Sequence, residues 1–362
     1  MSLPTLPMVS DAAVRSVITV ADALDVVERT YADFGAARLA LSSPTITRLG
    51  EGAEGFGLKG ALLDRYGVAG VRITPRHTEG RNSWCLVLET ASGRPLVAVE
   101  ETWLHRLRTA ASAAVAARLL ARPGSRVLTL VGAGRIAAFV PAAFAEVFGL
   151  DEIRVVTRAA ASAEEFAAAH ALPGVRFSTG TDLNAAAPGS DLIVAITSSR
   201  LPIIHPHHLS PGVTLIALGG GPEIAPEILT GTAVPLGAAP AGGPASATGP
   251  ASATGPAAGA VLLGPGSGAG SGGGAGEGSG VERFFVDDLG YAREIGSVAG
   301  WLAAGLPAET VLSRLTGSLP AVAAGTMPGR TAPDERILAV VQGVAACDVA
   351  LACLTMRRLG IA

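Results

Sequence analysis

The chain has 362 residues, enough for two domains with separate cores. Its 27 Lys+Arg stand against 30 Asp+Glu, a net charge of −3, so it carries no basic footprint for nucleic acid. Three scattered cysteines (Cys85, Cys347, Cys353) exclude a disulfide framework, and Arg or Asp interrupts every long apolar stretch before it spans a bilayer. The N-terminal MSLPTLPMVSD has no signal-peptide pattern, so a cytoplasmic enzyme-sized protein is expected, with neither membrane nor nucleic-acid partners.

Residues 20–40 place apolar side chains at helical spacing and predict an amphipathic helix. From 45 to 101 the texture changes to short β-like runs (TITRL, GVRIT, SWCLVLET, PLVAVEE) divided by Gly and Pro turns, which predicts an antiparallel sheet. An alanine-rich helix begins near 105. Strand and helix then alternate to about 230: VLTLVG, a helix at 135–148, IRVVT, a helix at 162–170, VRFST, DLIVAIT and VTLIALGG. Such alternation predicts a helix-covered parallel sheet. The stretch 237–280 holds 16 glycines, one charged residue (Glu277) and a direct repeat of PASATG, and reads as a disordered surface insertion. Order is predicted to resume at VERFFVDDLGYAREIG, and the last helix at 335–358. The expected fold is α/β: a doubly wound, Rossmann-type sheet at 123–296, and an α+β domain made of 1–122 and 297–362.

The strand VLTLVG runs into Gly132-Ala133-Gly134-Arg135-Ile136-Ala137, a GxGxxA turn opening a helix. Gly132 makes the tight turn, Gly134 lets backbone approach a pyrophosphate, and Ala137 permits close helix packing. Nothing but context separates this from a ligand-free turn; the continuing β/α alternation favours a dinucleotide. An NAD site usually carries Asp or Glu at the end of the second strand, to hold the ribose 2′-hydroxyl. Here Thr157 and Arg158 stand there, which suits a 2′-phosphate and favours NADPH over NADH. Thr197 and Ser198, ending the fourth strand of the alternation, are counted with the cofactor-binding residues.

Lys59 is the only lysine among the 27 basic residues. A lysine ammonium, unlike a guanidinium, shifts its pKa readily on burial and can move protons. His205, His207 and His208 cluster, but no Cys, Asp or Glu has convincing ligand spacing, so no metal site is expected. Asp287 and Asp288 suit helix capping. Asp348 suits either the nicotinamide end or a polar contact between domains.

The segments RTAASAAVAARLLARPGSRVLTLVGAGRIA (108–137), SGRPLVAVEE, LSPGVTLIALGG, PGR and QGVAACDVALA follow one another as in the ornithine cyclodeaminase/mu-crystallin family, which the chain resembles over nearly its whole length outside 237–280. The resemblance implies a homodimer with a Rossmann domain and a substrate-binding, dimerising domain. It also implies hydride transfer between a nicotinamide and the C–N bond of an amino or imino acid. Arg108 matches the family arginine that grips the substrate carboxylate. Arg72 stands where the family has its active-site lysine, and Lys59, in an FxxK-like segment, is placed to share the site. Arg48 matches a further carboxylate-binding arginine. His105, three residues before Arg108 on one helix face, either donates a proton near neutral pH or is structural.

Cyclodeaminase members of this family carry an aspartate for ammonia loss and ring closure. Gly221 stands at that position here, and Glu223 or Glu227 replaces it only if the loop is rebuilt. The reading favoured is therefore an imine (ketimine) reductase or amino-acid dehydrogenase. A cyclodeaminase-type ammonia-lyase and a catalytically silent, mu-crystallin-like NADP-binding protein are the alternatives.

Overall fold

A computed structural model describes residues 5–48, 55–75, 82–231 and 280–361. The proposed insertion at 237–280 lies, but for Gly280, outside the described residues. The first sheet contains β1 (Met8–Val9), β2 (Leu39–Leu41), β3 (Thr45–Arg48), β4 (Gly55–Leu63), β5 (Val68–Pro75), β6 (Trp84–Glu89) and β7 (Pro95–Glu100). Its order is β1-β7-β6-β5-β4-β2, with β3 also on β4, and every pairing is antiparallel except β1 with β7. The predicted hairpins are present.

The second sheet contains β8 (Val127–Val131), β9 (Glu152–Val156), β10 (Arg176–Gly180), β11 (Leu192–Ala195), β12 (Thr214–Ala217), β13 (Arg283–Val286), β14 (Gly317–Ser318) and β15 (Ile337–Val340). All its pairings are parallel, in the order β10-β9-β8-β11-β12-β15-β13-β14. Chain order reverses between β8 and β11, the switch point at which doubly wound sheets bind ligands. Strands LIVA, TLIA and ILAV are buried throughout, as a sheet covered on both faces requires.

Two elements differ from expectation. The segment after the glycine turn opens as a 3₁₀ turn (Ala137–Phe139) and becomes α-helical only at Val140–Ala145. The stretch 335–358 is not one helix: Ile337–Val340 is β15, between β12 and β13, and only Ala345–Arg358 is helical. A short apolar run such as ILAVV has no periodicity to separate a buried strand from a buried helix. The chain therefore re-enters the second sheet beyond 297, where everything was expected to join the first unit.

The helix Thr102–Leu120 is buried on almost every side, because its run of alanines lets neighbours approach all round. It contacts the helices Val20–Gly35 and Ala345–Arg358, and also β12 of the second sheet. The helix Ala345–Arg358 covers the inner face of β4, β5 and β6. A Cβ on Gly70 would lie 2.6 Å from Val349 Cγ2, so the missing side chain sets how closely helix and sheet meet. These two helices join the sheets.

Candidate active site

The glycine turn sits at the C-terminal end of β8. Gly132 has φ +108°, and a Cβ there would lie 2.4 Å from the Ile196 carbonyl oxygen; a Cβ on Gly134 would meet nothing within 4 Å. The first glycine is thus demanded by conformation and contact, and the second leaves an open cradle. Beside it lies a cavity of about 1070 Å³ lined by Gly132, Ala133, Gly134, Thr157, Arg158, Thr197 and Ser198, among others. Arg135 and Ile136, expected in the cofactor set, are not among its lining residues. Arg135 is exposed beside the turn. The cradle and the cavity fit a dinucleotide.

Some of these side chains are already engaged. The Thr157 hydroxyl donates to the Ala159 carbonyl at 2.7 Å, while Arg158 is exposed on the cavity. The Thr197 hydroxyl donates to Glu223 at 2.6 Å. Glu223 also accepts from the backbone N–H of Thr197 and of Gly219 (each 2.8 Å), so its fully buried carboxylate ties the end of β11 to the end of β12. Glu223 is therefore committed to the loops and does not substitute for the missing aspartate. A Cβ on Gly221 would lie 2.5 Å from the Ser199 carbonyl oxygen, so the loop in this form has no room for an acid there.

His205, His207 and His208 line the same cavity. Nε2 of both His207 and His208 lies about 3 Å from the Asn184 Oδ1 (3.0 and 3.1 Å), and Asn184 is held by Asp182. Among the described residues no group of three or more His, Cys, Asp or Glu is placed to hold a metal ion.

The first sheet and the helix Thr102–Leu120 supply the basic residues. Lys59 and Arg72 are register partners on β4 and β5 and so share a face. Arg108, in the middle of Thr102–Leu120, is only 1% exposed. Its Nε donates to Asp348 Oδ1 at 2.7 Å, and its Nη2 lies 2.8 Å from His105 Nδ1. Arg72 Nε bonds Glu101, itself completely buried. Lys59 Nζ donates to the Gly343 carbonyl at 3.3 Å and lies 4.4 Å above the centre of the Tyr291 ring. Sequence reasoning had named Lys59, Arg72, His105 and Arg108, and the fold brings these four together. Arg48 stands apart: it is exposed on β3 opposite Gly55, four residues and roughly 14 Å along β4 from Lys59.

Electrostatics refine the roles. Burial, then the charges of Arg108 and Arg72, lowers Lys59 to about 8. Burial followed by the same arginines pushes His105 far below its ordinary value. A neutral ring accepting from Arg108 at Nδ1 orients that guanidinium, which favours the structural of the two roles open to His105 over proton donation. Burial alone would raise Asp348, but Arg108, His105 and Arg72 together outweigh it and hold the carboxyl well below the usual range. Glu101 moves up, because burial exceeds the pull of Arg72. Asp348 is thus the counterion of Arg108, the pair tying the helix Thr102–Leu120 to the helix Ala345–Arg358.

Gly343 was not anticipated. It follows β15, has φ +76°, donates its N–H to Asp287 at 2.5 Å and offers its carbonyl to Lys59. A Cβ on it would lie 1.9 Å from Arg108 Nη1. A glycine in QGVAACD hints at a turn; that the turn cradles an arginine 235 positions away is a tertiary fact. Asp288 caps the helix Leu289–Glu294 as expected, whereas Asp287 holds the Gly343 turn.

Residues 64–232 match the model described as the Ornithine cyclodeaminase/mu-crystallin family. The chain is 30% identical to an ornithine cyclodeaminase of Agrobacterium tumefaciens (strain Ach5) over 45% of its own length and 49% of the relative's. It is also 30% identical to a delta(1)-pyrroline-2-carboxylate reductase of Colwellia psychrerythraea, over 42% and 49% respectively. The chain thus spans about half the length of these curated relatives. An archaeal alanine dehydrogenase dimer with bound NAD superposes with a TM-score of 0.77 at 21% identity, covering 98% of this chain and 95% of that one, which shows the shared fold. The resemblance read from the motifs is thereby borne out over residues 64–232, the part of the chain that matches the model of the ornithine cyclodeaminase/mu-crystallin family.

Proposed function

We propose that the chain is an NAD(P)H-dependent oxidoreductase acting on the C–N bond of a small amino or imino acid, in the sense of imine reduction. One observation carries the reading. The glycine cradle after β8, the Thr197 loop after β11 and the Gly343 turn after β15 lie at the same, C-terminal edge of one parallel sheet, and Gly343 ends in the Lys59–Arg72–Arg108 cluster. A nicotinamide dinucleotide, when bound, exchanges a hydride with the carbon of the C–N bond. Arg72 and Arg108 hold the substrate carboxylate; each guanidinium has five N–H donors, so the bonds to Glu101, Asp348 and His105 leave others available. Lys59, still largely protonated at pH 7, holds a proton beside the nitrogen.

Reduction is favoured over ring-closing deamination because Gly221 packs against Ser199. Arg158, open to the cavity at the end of β9, supports NADPH over NADH; Asp182 lines the same cavity, but its carboxylate is bonded to Asn184. The outer face of the first sheet supports a homodimer: Phe56, Leu58, Leu62, Val71, Ile73 and Leu86 share it by register, and Phe56 and Leu62 are exposed. Cys85, Cys347 and Cys353 are free and buried, which suits a cytoplasmic setting. Among the described residues, no helix is long and apolar enough to cross a membrane.

The test is NADPH and NADH oxidation with a panel of cyclic imino acids and of 2-oxo acids plus amines. Turnover of a carboxylate-bearing imine is expected. Conversion of ornithine to proline and ammonia without net cofactor use refutes the reductase reading, and nucleotide binding without turnover refutes catalysis. Light scattering tests the dimer: twice the chain mass is expected, and a monomer overturns it.

A further inference from the structure

Lys59 is the one lysine of the chain, yet no carboxylate forms an ion pair with it among the described residues. What it does have is the face of Tyr291. Tyr291 comes from the helix Leu289–Glu294, which follows β13 of the second sheet, and is 1% exposed. Its hydroxyl donates to the Ser42 carbonyl at 3.2 Å, in the segment joining β2 to β3 of the first sheet. Ser42 is bonded twice to Gly60, the neighbour of Lys59: its N–H donates to the Gly60 carbonyl and its Oγ accepts the Gly60 N–H at 2.8 Å. The Tyr291 side chain thus grips β4 at two points, with its ring under the amine and its hydroxyl on the strand's partner. On the other side, Asp288 Oδ1 accepts the Tyr291 N–H at 2.7 Å, Asp287 accepts the Gly343 N–H, and the Gly343 carbonyl accepts from Lys59. The contacts form a closed ring across both sheets.

We infer that Tyr291 is a positioning residue for Lys59: its ring face replaces the missing counterion, holding the ammonium in place and in its charged form. The charged groups around the amine are Arg72 from β5, Arg108 from Thr102–Leu120, Asp348 from Ala345–Arg358, and Asp287 and Asp288 from the end of β13. Burial and the two arginines oppose an ammonium there and the carboxylates favour it less strongly; the ring face adds to the favourable side. An aromatic face over a partly desolvated cation changes its ionisation constant by roughly 2- to 30-fold.

The inference rests on the proposed reaction only for its consequence in turnover, and its test does not need turnover. Lysine labelled with ¹³C at Cε gives a single resonance in this chain. In the unmodified protein its ε-methylene protons are expected upfield of free lysine, because the Nζ bonded to that carbon lies 4.4 Å over the Tyr291 ring; an unshifted signal overturns the inference. Tyr291→Met, which keeps bulk and loses the ring, should lower the Lys59 titration midpoint by roughly 0.4 to 1.5 pH units. Tyr291→Phe should leave that midpoint unchanged, because it keeps the ring. Equal midpoints in Tyr291→Met and wild type, or a drop in Tyr291→Phe as large as that in Tyr291→Met, also overturn it. A shifted lysine titration in a protein that reduces no imine keeps this inference and removes the proposed function.

Discussion

Replacing Gly343 by alanine attacks the site at its most crowded point. The position has φ +76°, and the new Cβ would lie 1.9 Å from Nη1 and 2.9 Å from Cζ of Arg108. Left-handed backbone costs a non-glycine residue about 1–2 kcal/mol. The guanidinium has nowhere to retreat while Asp348 and His105 hold it, so it must leave its counterion, and breaking a buried ion pair costs about 3–5 kcal/mol. The sum, about 4–7 kcal/mol, is a large part of the 5–15 kcal/mol that typically separates folded from unfolded protein. Gly360→Ala is the control: φ there is +68°, and an added Cβ meets nothing within 4 Å. It should lose only the backbone strain. Urea unfolding of both variants at pH 7 measures the difference, about 3–5 kcal/mol in favour of Gly360→Ala. Equal losses would refute the packing of Arg108 against Gly343.

The activity of the wild type should fall as pH rises through about 8, because Lys59 then gives up its proton. Lys59→Arg should remove that limb within the accessible range, and an unchanged kcat/KM profile refutes the role. Stability moves the other way. A base lowered from 10.5 to about 8 by burial carries its full cost below about 8 and loses it as pH rises toward 10.5, so this group's contribution to unfolding free energy increases across that window. Gly221→Asp, which puts a Cβ 2.5 Å from the Ser199 oxygen, should weaken nucleotide binding at the Ser199 loop without creating ornithine deamination; ammonia release from ornithine would contradict this. Arg158→Ala should reduce NADPH affinity by about tenfold, the low end for a charge-assisted bond at an exposed residue, and leave NADH nearly unchanged. Equal effects on both nucleotides, measured by tryptophan quenching, dismiss the 2′-phosphate contact.

What the sequence alone determined is what local physics dictates. Gly132 announces a tight turn after the strand because only glycine suits its conformation and close contact, Gly134 leaves that turn open, and LIVA and TLIA are buried runs wherever the chain goes. Thr102–Leu120 and the hairpins of the first sheet are equally short-range, and Arg108 and His105 meet because three residues make nearly one helical turn. Tertiary structure decided the rest. ILAVV became β15 rather than helix because a slot between β12 and β13 needed a strand, a demand invisible in its own pattern. Lys59 met Arg72 through the register of β4 on β5, whereas Arg48, similar in character, was left outside by the register of β3. His105 lost its proton to burial among arginines, and Gly343 acquired its purpose only when Arg108 was laid against it. Turns and helix faces depend on neighbours a few bonds away, whereas charge balance and close contact depend on which distant segments share one small volume.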